Sequence, residues 1–278
     1  MTFLRHFVPR ALRPPLRRLA RRVFGRSTWE AAPRGWDTPQ RGWDVASIAA
    51  VQKDRWPHYA AAIAGTAPLT IPHEHDRGHI VTIGGHNAAL SFAYVVATAA
   101  ADKRRLRILD WGGGIGHYVL LARAAAPGVD IDYVVYDVPL ISDAGRELAA
   151  GVAFTSDRAE ALNGAYDLIV ASSSLWYERD WRAAIDRLAA SCAGYLYITR
   201  MGIVKESPSF VSIQRPLEAG YVTEYLCWIL NENDLVSHVR SAGMELVREF
   251  LIDHGPRIRR APEQPVMRGY LFRRNLGC

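Results

Sequence analysis

Arg107-Ile108-Leu109-Asp110-Trp111-Gly112-Gly113-Gly114-Ile115-Gly116 is the stretch that decides the fold of this 278-residue chain. Leu106, Ile108 and Leu109, closed by Asp110, read as a parallel strand buried on both faces, and Tyr118 to Ala126 carries apolar residues at helical spacing. Strand, glycine turn and helix N-terminus therefore meet at one point. Glycines at 112, 114 and 116 remove the Cβ atoms that would hold a ligand away and permit positive φ. They also leave the first-turn N–H groups of the helix facing the crevice. A loop of this kind presses backbone against a small-molecule cofactor.

Two cofactor classes use such turns. A dinucleotide fingerprint, G-x-G-x-x-G, counted from Gly112 and Gly114 would need a third glycine where His117 stands, so a nicotinamide oxidoreductase is the distant alternative. What remains, D-x-G-x-G-x-G over Asp110, Gly112, Gly114 and Gly116, resembles motif I of the class I S-adenosylmethionine (SAM) methyltransferases. A second apolar run, Ile131 to Tyr136, ends in Asp137 about twenty residues past the last glycine, where a doubly wound fold places the acid that accepts from ribose hydroxyls. The alternative for Asp137 is a strand-end turn residue before Val138-Pro139. Gly151 to Thr155 leads to Asp157; the resemblance implies an adenine contact there, while Glu160 three residues on makes Asp157 equally a helix N-cap in a capping box. Tyr166 to Val170 is a buried strand entering Ala171-Ser172-Ser173-Ser174-Leu175-Trp176-Tyr177. The crevice beyond such strand ends holds ligands in open α/β sheets, so this loop flanks cofactor and acceptor, with Ser172 on the cofactor side. It lacks the Asn/Asp-Pro-Pro-Tyr signature of amino-methylating nucleic-acid enzymes. Gly194 to Thr199 is a fifth strand opening into Arg200.

Asn233 to Ala242 reads as a helix, and Glu245 to Ile252 and Val266 to Arg273 as two strands without a helix between them, which suits an antiparallel hairpin at the sheet edge. The expectation is an α/β, Rossmann-like class I methyltransferase fold: a seven-stranded, mostly parallel sheet with helices on both faces. Its core runs over 105–278, behind a helical N-terminal cap at 27–104 and a basic arm at 1–26.

With 49% hydrophobic and 22% charged residues the chain can bury one large α/β core without disulfides. Cys192, Cys227 and Cys278 form no C-x-x-C pair and leave an odd count, which points to a reduced, cytoplasmic setting. No run of 18 apolar residues spans a membrane. The net charge is +6, yet residues 1–26 hold eight arginines and no acid, so the rest of the chain is slightly acidic. Within the arm Leu12, Leu16, Leu19, Ala20, Val23 and Phe24 recur at helical spacing after Pro14-Pro15. A basic amphipathic helix suits peripheral contact with an anionic inner membrane face; a solvated arm packed on its own core is the alternative. Basic and aromatic patterning does not continue into the core, so no nucleic-acid partner is expected.

In the cap, Trp29-Glu30, Trp36-Asp37, Trp43-Asp44 and Trp56 serve either as filling for a small irregular core or as a surface for stacking a sugar or aromatic ring. His73-Glu74-His75-Asp76 with His79 suggests metal chemistry, but Pro72 and Gly78 break the regularity that would aim three imidazoles at one ion, and no metal site is assigned. The stretch Ser27 to Ala32, Gly35-Trp36-Asp37, the segment Leu109 to Tyr118, then Ser174-Leu175-Trp176-Tyr177 and Gln214 resemble a family of bacterial methyltransferases associated with polysaccharide or specialised-metabolite gene clusters. The resemblance implies SAM as cofactor and transfer of its methyl group to an oxygen or nitrogen of a small-molecule or glycan acceptor. Such chemistry asks the protein to align donor and acceptor within about 3–3.5 Å, exclude water and remove a hydroxyl proton. His86 and His117 are the candidate bases. His117 is otherwise a ligand donor or a helix cap, and His86 a cap or a satisfied buried histidine. Tyr177, Arg200 and Gln214 are the candidate acceptor contacts, with Arg200 best explained by an anionic acceptor or by a structural ion pair.

Overall fold

The computed structural model describes residues 28–71 and 81–275. Residues 1–26, read as a basic amphipathic arm, the histidines and acids of His73 to His79, and Cys278 lie outside the described residues. In chain order come β1 (Trp29–Ala31), α1 (Ala46–Ala64), α2 (Ile83–Ala100), β2 (Arg105–Trp111), α3 (His117–Ala125), β3 (Asp130–Tyr136), α4 (Pro139–Leu148), β4 (Val152–Thr155) and α5 (Arg158–Leu162). They are followed by β5 (Tyr166–Ser172), α6 (Trp181–Ser191), β6 (Cys192–Val204), β7 (Phe210–Gln214), β8 (Tyr225–Asn231), α7 (Glu232–Ser241), β9 (Met244–Asp253) and β10 (Val266–Arg274).

The central sheet runs β4-β3-β2-β5-β6-β10-β9, parallel from β4 to β6 and antiparallel at β10 and β9. β2 lies inside the sheet, between β3 and β5, because Leu106, Ile108 and Leu109 are apolar towards both faces and fully buried. Helices cover it in two layers, α2 against α3 on one side and α5, α6 and α7 in series on the other. The α/β class and the closing hairpin agree with the sequence reading.

The strand count does not: among the described residues ten strands form the sheet, not seven. β6 is 13 residues long, and its overhanging end pairs with β8 through Ile203 with Leu230 and Val204 with Asn231. β7 and then β1 extend this edge antiparallel. The cap is consequently not purely helical. Three-residue β1 shows no period of its own; it exists because Trp29 packs on Trp176 at 5.8 Å and pairs with Gln214.

The boundary expected at residue 105 also moves. α2 starts at Ile83, capped by the Thr82 side chain accepting from the Gly85 N–H. Its Ala88, Phe92, Val95, Val96 and Ala99 recur at helical spacing and are buried against the sheet. Burying Phe92 or either valine contributes about 1.5–3 kcal/mol, so α2 is a layer of the core rather than part of the cap. What remains over the sheet's carboxyl edge is α1.

Candidate active site

A cavity of 390 Å³ opens at the carboxyl ends of β2, β3, β5 and β6, under α1. Its floor is the glycine turn, where Gly112, Gly114 and Gly116 have φ of +70°, +62° and +84°. A Cβ on Gly112 would stand 2.4 Å from that of Ser174, so no side chain fits there. The Gly114 N–H donates to Asp137 Oδ2 and the Val138 N–H to Oδ1, each at 2.7 Å. These bonds hold the carboxylate beside the turn. Burial nevertheless pushes the Asp137 carboxyl up to about 6. Asp110, fully buried, accepts from the Tyr133 hydroxyl at 2.9 Å through Oδ2. Burial and, less strongly, the charge of Asp137 push it up to about 7.

Buried polar atoms normally find partners. Five that line this cavity have none among the described residues: Asp110 Oδ1, Ser174 Oγ, His117 Nε2, Gln52 Oε1 and Trp43 Nε1. Their convergence on one void is a set of contacts shaped for a polar ligand. Beside Asp137, Trp111 stacks on Tyr136 at 4.1 Å, and the Arg158 guanidinium lies 5.2 Å over Trp111. Arg158 Nη2 donates to both Glu178 oxygens, at 3.0 and 3.1 Å. Ser172 Oγ is 2.7 Å from the Tyr118 hydroxyl.

The other end is built by long-range packing. Gln52, Arg55, Trp56 and Tyr59 share one face of α1 by their i, i+3, i+4, i+7 spacing. Gln52 and Arg55 line the cavity, and the His117 ring lies 5.9 Å from Trp56 and 5.3 Å, edge-on, from Tyr59. Trp43 stacks on Tyr225 at 4.4 Å and meets Tyr177 at 4.9 Å, forming an aromatic wall. Arg200, mostly buried, sits where β6 bulges against β10: the register jumps so that Thr199 and Arg200 face Gly269. It adopts φ +56°, unusual for a side-chain-bearing residue, as does neighbouring Ser173 at +52°. The bulge puts Arg200 on the cavity, where the Tyr118 hydroxyl accepts from it. Burial first, then the cations Arg200 and Arg55, lower His117 to about 4. The imidazole is therefore neutral at pH 7.

Of the residues expected from the sequence, Asp110, Gly112, Gly114, His117, Asp137, Ser172, Tyr177 and Arg200 line the cavity. His86 does not; its Nδ1 lies 2.7 Å from the Leu69 carbonyl, which is the satisfied-histidine alternative. Gly116 stands at the N-cap of α3 rather than on the lining, so His117 is not the cap. Gln214 is buried behind Tyr177, accepting from its hydroxyl at 3.2 Å. Asp157 caps α5, its Oδ1 accepting from the Ala159 and Glu160 N–H groups at 2.7 and 3.2 Å. The reciprocal half of the capping box is absent, because Glu160 bonds Thr155 Oγ1 instead. Asp157→Ala is accordingly expected to cost about 1 kcal/mol of stability and leave affinity for S-adenosylhomocysteine (SAH) unchanged; a melt beside a calorimetric titration checks this, and a lost affinity would restore the adenine contact. Among the tryptophans, Trp29 and Trp36 pack as core, against Trp176 and Trp228, while Trp43 joins the cavity. Gln52, Arg55, Tyr118, Arg158 and Tyr225 were not legible as site residues, although the spacing over 52–59 marks one face of a helix. Among the described residues no group of three metal-ligating side chains occurs, and no helix is long and apolar enough to cross a membrane.

No curated protein sequence matches the chain. Among solved structures, a SAM-dependent methyltransferase from Methanosarcina mazei is similar at 18% identity and TM-score 0.47, over 63% of this chain and 95% of its own. Magnesium protoporphyrin IX methyltransferase from Synechocystis PCC 6803, with bound SAH, is similar at 15% identity and TM-score 0.47, over 81% and 99%. A family model described as a methyltransferase domain matches residues 85–249, starting inside α2 and ending in β9. That match spans more than half of the chain, and the protein therefore belongs to the methyltransferase-domain family, enzymes that take SAM as cofactor.

Proposed function

We propose that the protein methylates an oxygen or nitrogen of a small-molecule or glycan acceptor, with SAM held on the glycine turn. The convergence of unpartnered buried polar atoms on that turn is the observation that carries this reading. Asp110 Oδ1 and Gln52 Oε1 offer acceptors to an ammonium group, and Asp137, positioned by two backbone N–H groups, suits vicinal ribose hydroxyls. Bound there, SAM supplies an electrophilic methyl group on a sulfonium. The remaining work falls to the chain: α1 and the aromatic wall exclude water, and His117, neutral and with Nε2 unpartnered, takes the proton of an acceptor hydroxyl. A protein that binds the cofactor without turnover is the rival reading, and methyl transfer itself separates the two.

The test is calorimetric titration with SAH, beside NADH, at pH 6 and pH 8. Micromolar SAH binding without NADH binding is expected. Affinity should rise about tenfold between the two pH values, because a carboxyl with a pKa near 7 goes from about one-tenth to nine-tenths ionised. The sign follows from the raised pKa: the stability that protonated Asp110 gives the ligand-free fold is complete below about pH 4 and lost as pH rises through 7, and a bound cation offsets that loss. Equal affinities would remove Asp110 from the ammonium contact. Absence of SAH binding would withdraw the proposal, and NADH binding in its place would favour a nicotinamide enzyme.

A further inference from the structure

The acids and bases lining the cavity are segregated. Asp137 is held by backbone N–H groups beside the glycine turn, Glu178 is engaged by Arg158, and Asp110 lies beneath the same turn. Around His117, by contrast, the charged side chains on the lining are Arg55 from α1 and Arg200 from the β6 bulge. The nearby wall adds a further donor, the unpartnered Trp43 Nε1. Arg55 Nη2 also donates to the Ala219 carbonyl at 3.5 Å and Arg200 to the Tyr118 hydroxyl, both neutral acceptors, so the charges acting on His117 are positive and this end favours an anion. Two guanidiniums present planar forks that match the oxygens of a carboxylate or phosphate. The positive φ of Arg200 is a backbone strain that a merely solvated cation would not need. Beside the cations, the stacked Trp43–Tyr225 pair and Tyr177 offer flat apolar surface to a ring.

We propose that the methyl acceptor is a low-mass ring compound, aromatic or sugar, carrying a carboxylate or phosphate that Arg55 and Arg200 hold against the Trp43–Tyr177–Tyr225 wall. This rests on the methyltransferase reading above. Arg55 and Arg200 fix the acceptor's orientation through its anion, the wall fixes the plane of its ring, and His117 between them faces the group to be methylated.

The experiment uses the full chain, methyl-tritiated SAM and a deproteinised low-mass metabolite extract divided on an anion-exchange resin at neutral pH. Label is expected in products formed from the retained fraction. Arg55→Gln should raise the amount of that fraction needed for half-maximal rate about tenfold, the loss of one charge-assisted contact, while SAH affinity stays unchanged. Arg200→Lys, which keeps the charge but not the fork, should raise it by a smaller factor. Label formed only from the unretained fraction would overturn this inference and leave the methyltransferase reading standing. A half-maximal requirement unmoved in both variants would overturn it too. No label from either fraction, in a protein that binds SAH, would remove the methyltransferase reading and this inference with it.

Discussion

Gly114→Val will bind SAH at least about 100-fold more weakly than the unaltered protein, a loss of roughly 3 kcal/mol. Gly114 holds φ +62°, and a branched side chain in that region carries a strain of about 1–2 kcal/mol or more. Its Cβ alone would come within 3.1 Å of Gln52 Oε1, so the two added methyl groups would fill the gap between the turn and α1. Moving the turn to relieve that contact would pull the Gly114 N–H from Asp137, whose carboxylate would then lose its orientation. Titration with SAH measures the effect, and a thermal melt separates it from unfolding. Should the valine variant fail to fold, Gly114→Ala carries the same strain with less bulk and is expected to lose about tenfold. Unchanged affinity in a folded variant would mean that the cofactor does not rest on this turn.

His117→Gln is expected to lower kcat for an O-methylated acceptor by about 100-fold to 10,000-fold, the range a general base contributes, with SAH affinity unaltered. The imidazole is buried, neutral and open at Nε2, and it heads α3 directly after the glycine turn. Because its pKa is lowered to about 4, the rate should not fall with protonation of this group until the pH drops well below 6; above that, Asp110 governs the acid limb. A kcat within twofold of the parent, twofold being about 0.4 kcal/mol, would leave His117 as a packing residue between Trp56 and Tyr59.

The two candidate histidines show where the sequence stops being informative. Each stands near the glycine turn's strand, and each is followed by a helix or lies in one. Only packing distinguishes them, because α2 turns His86 onto the Leu69 carbonyl while α3 carries His117 into the cavity. Asp157 is similar: the residue types over 155–160 fit a cap and an adenine contact alike, and the cap is the one the backbone N–H groups occupy.

The parallel strands, the glycine turn and the two carboxylates at β2 and β3 are legible in the residues alone. Those features follow from short-range rules: burial on both faces gives continuous apolar runs, positive φ calls for glycine, and β–turn–α geometry spaces Asp137 from Gly116. The other features depend on packing between distant segments. The extra strands β1, β7 and β8 depend on the overhang of β6, and α2 belongs to the core through contacts with distant strands. Gln52 and Arg55 reach the site because one face of α1 packs over α3, and Arg200 because β10 forces a bulge opposite Gly269. No local pattern encodes such meetings, since they arise from packing between segments tens to more than a hundred residues apart.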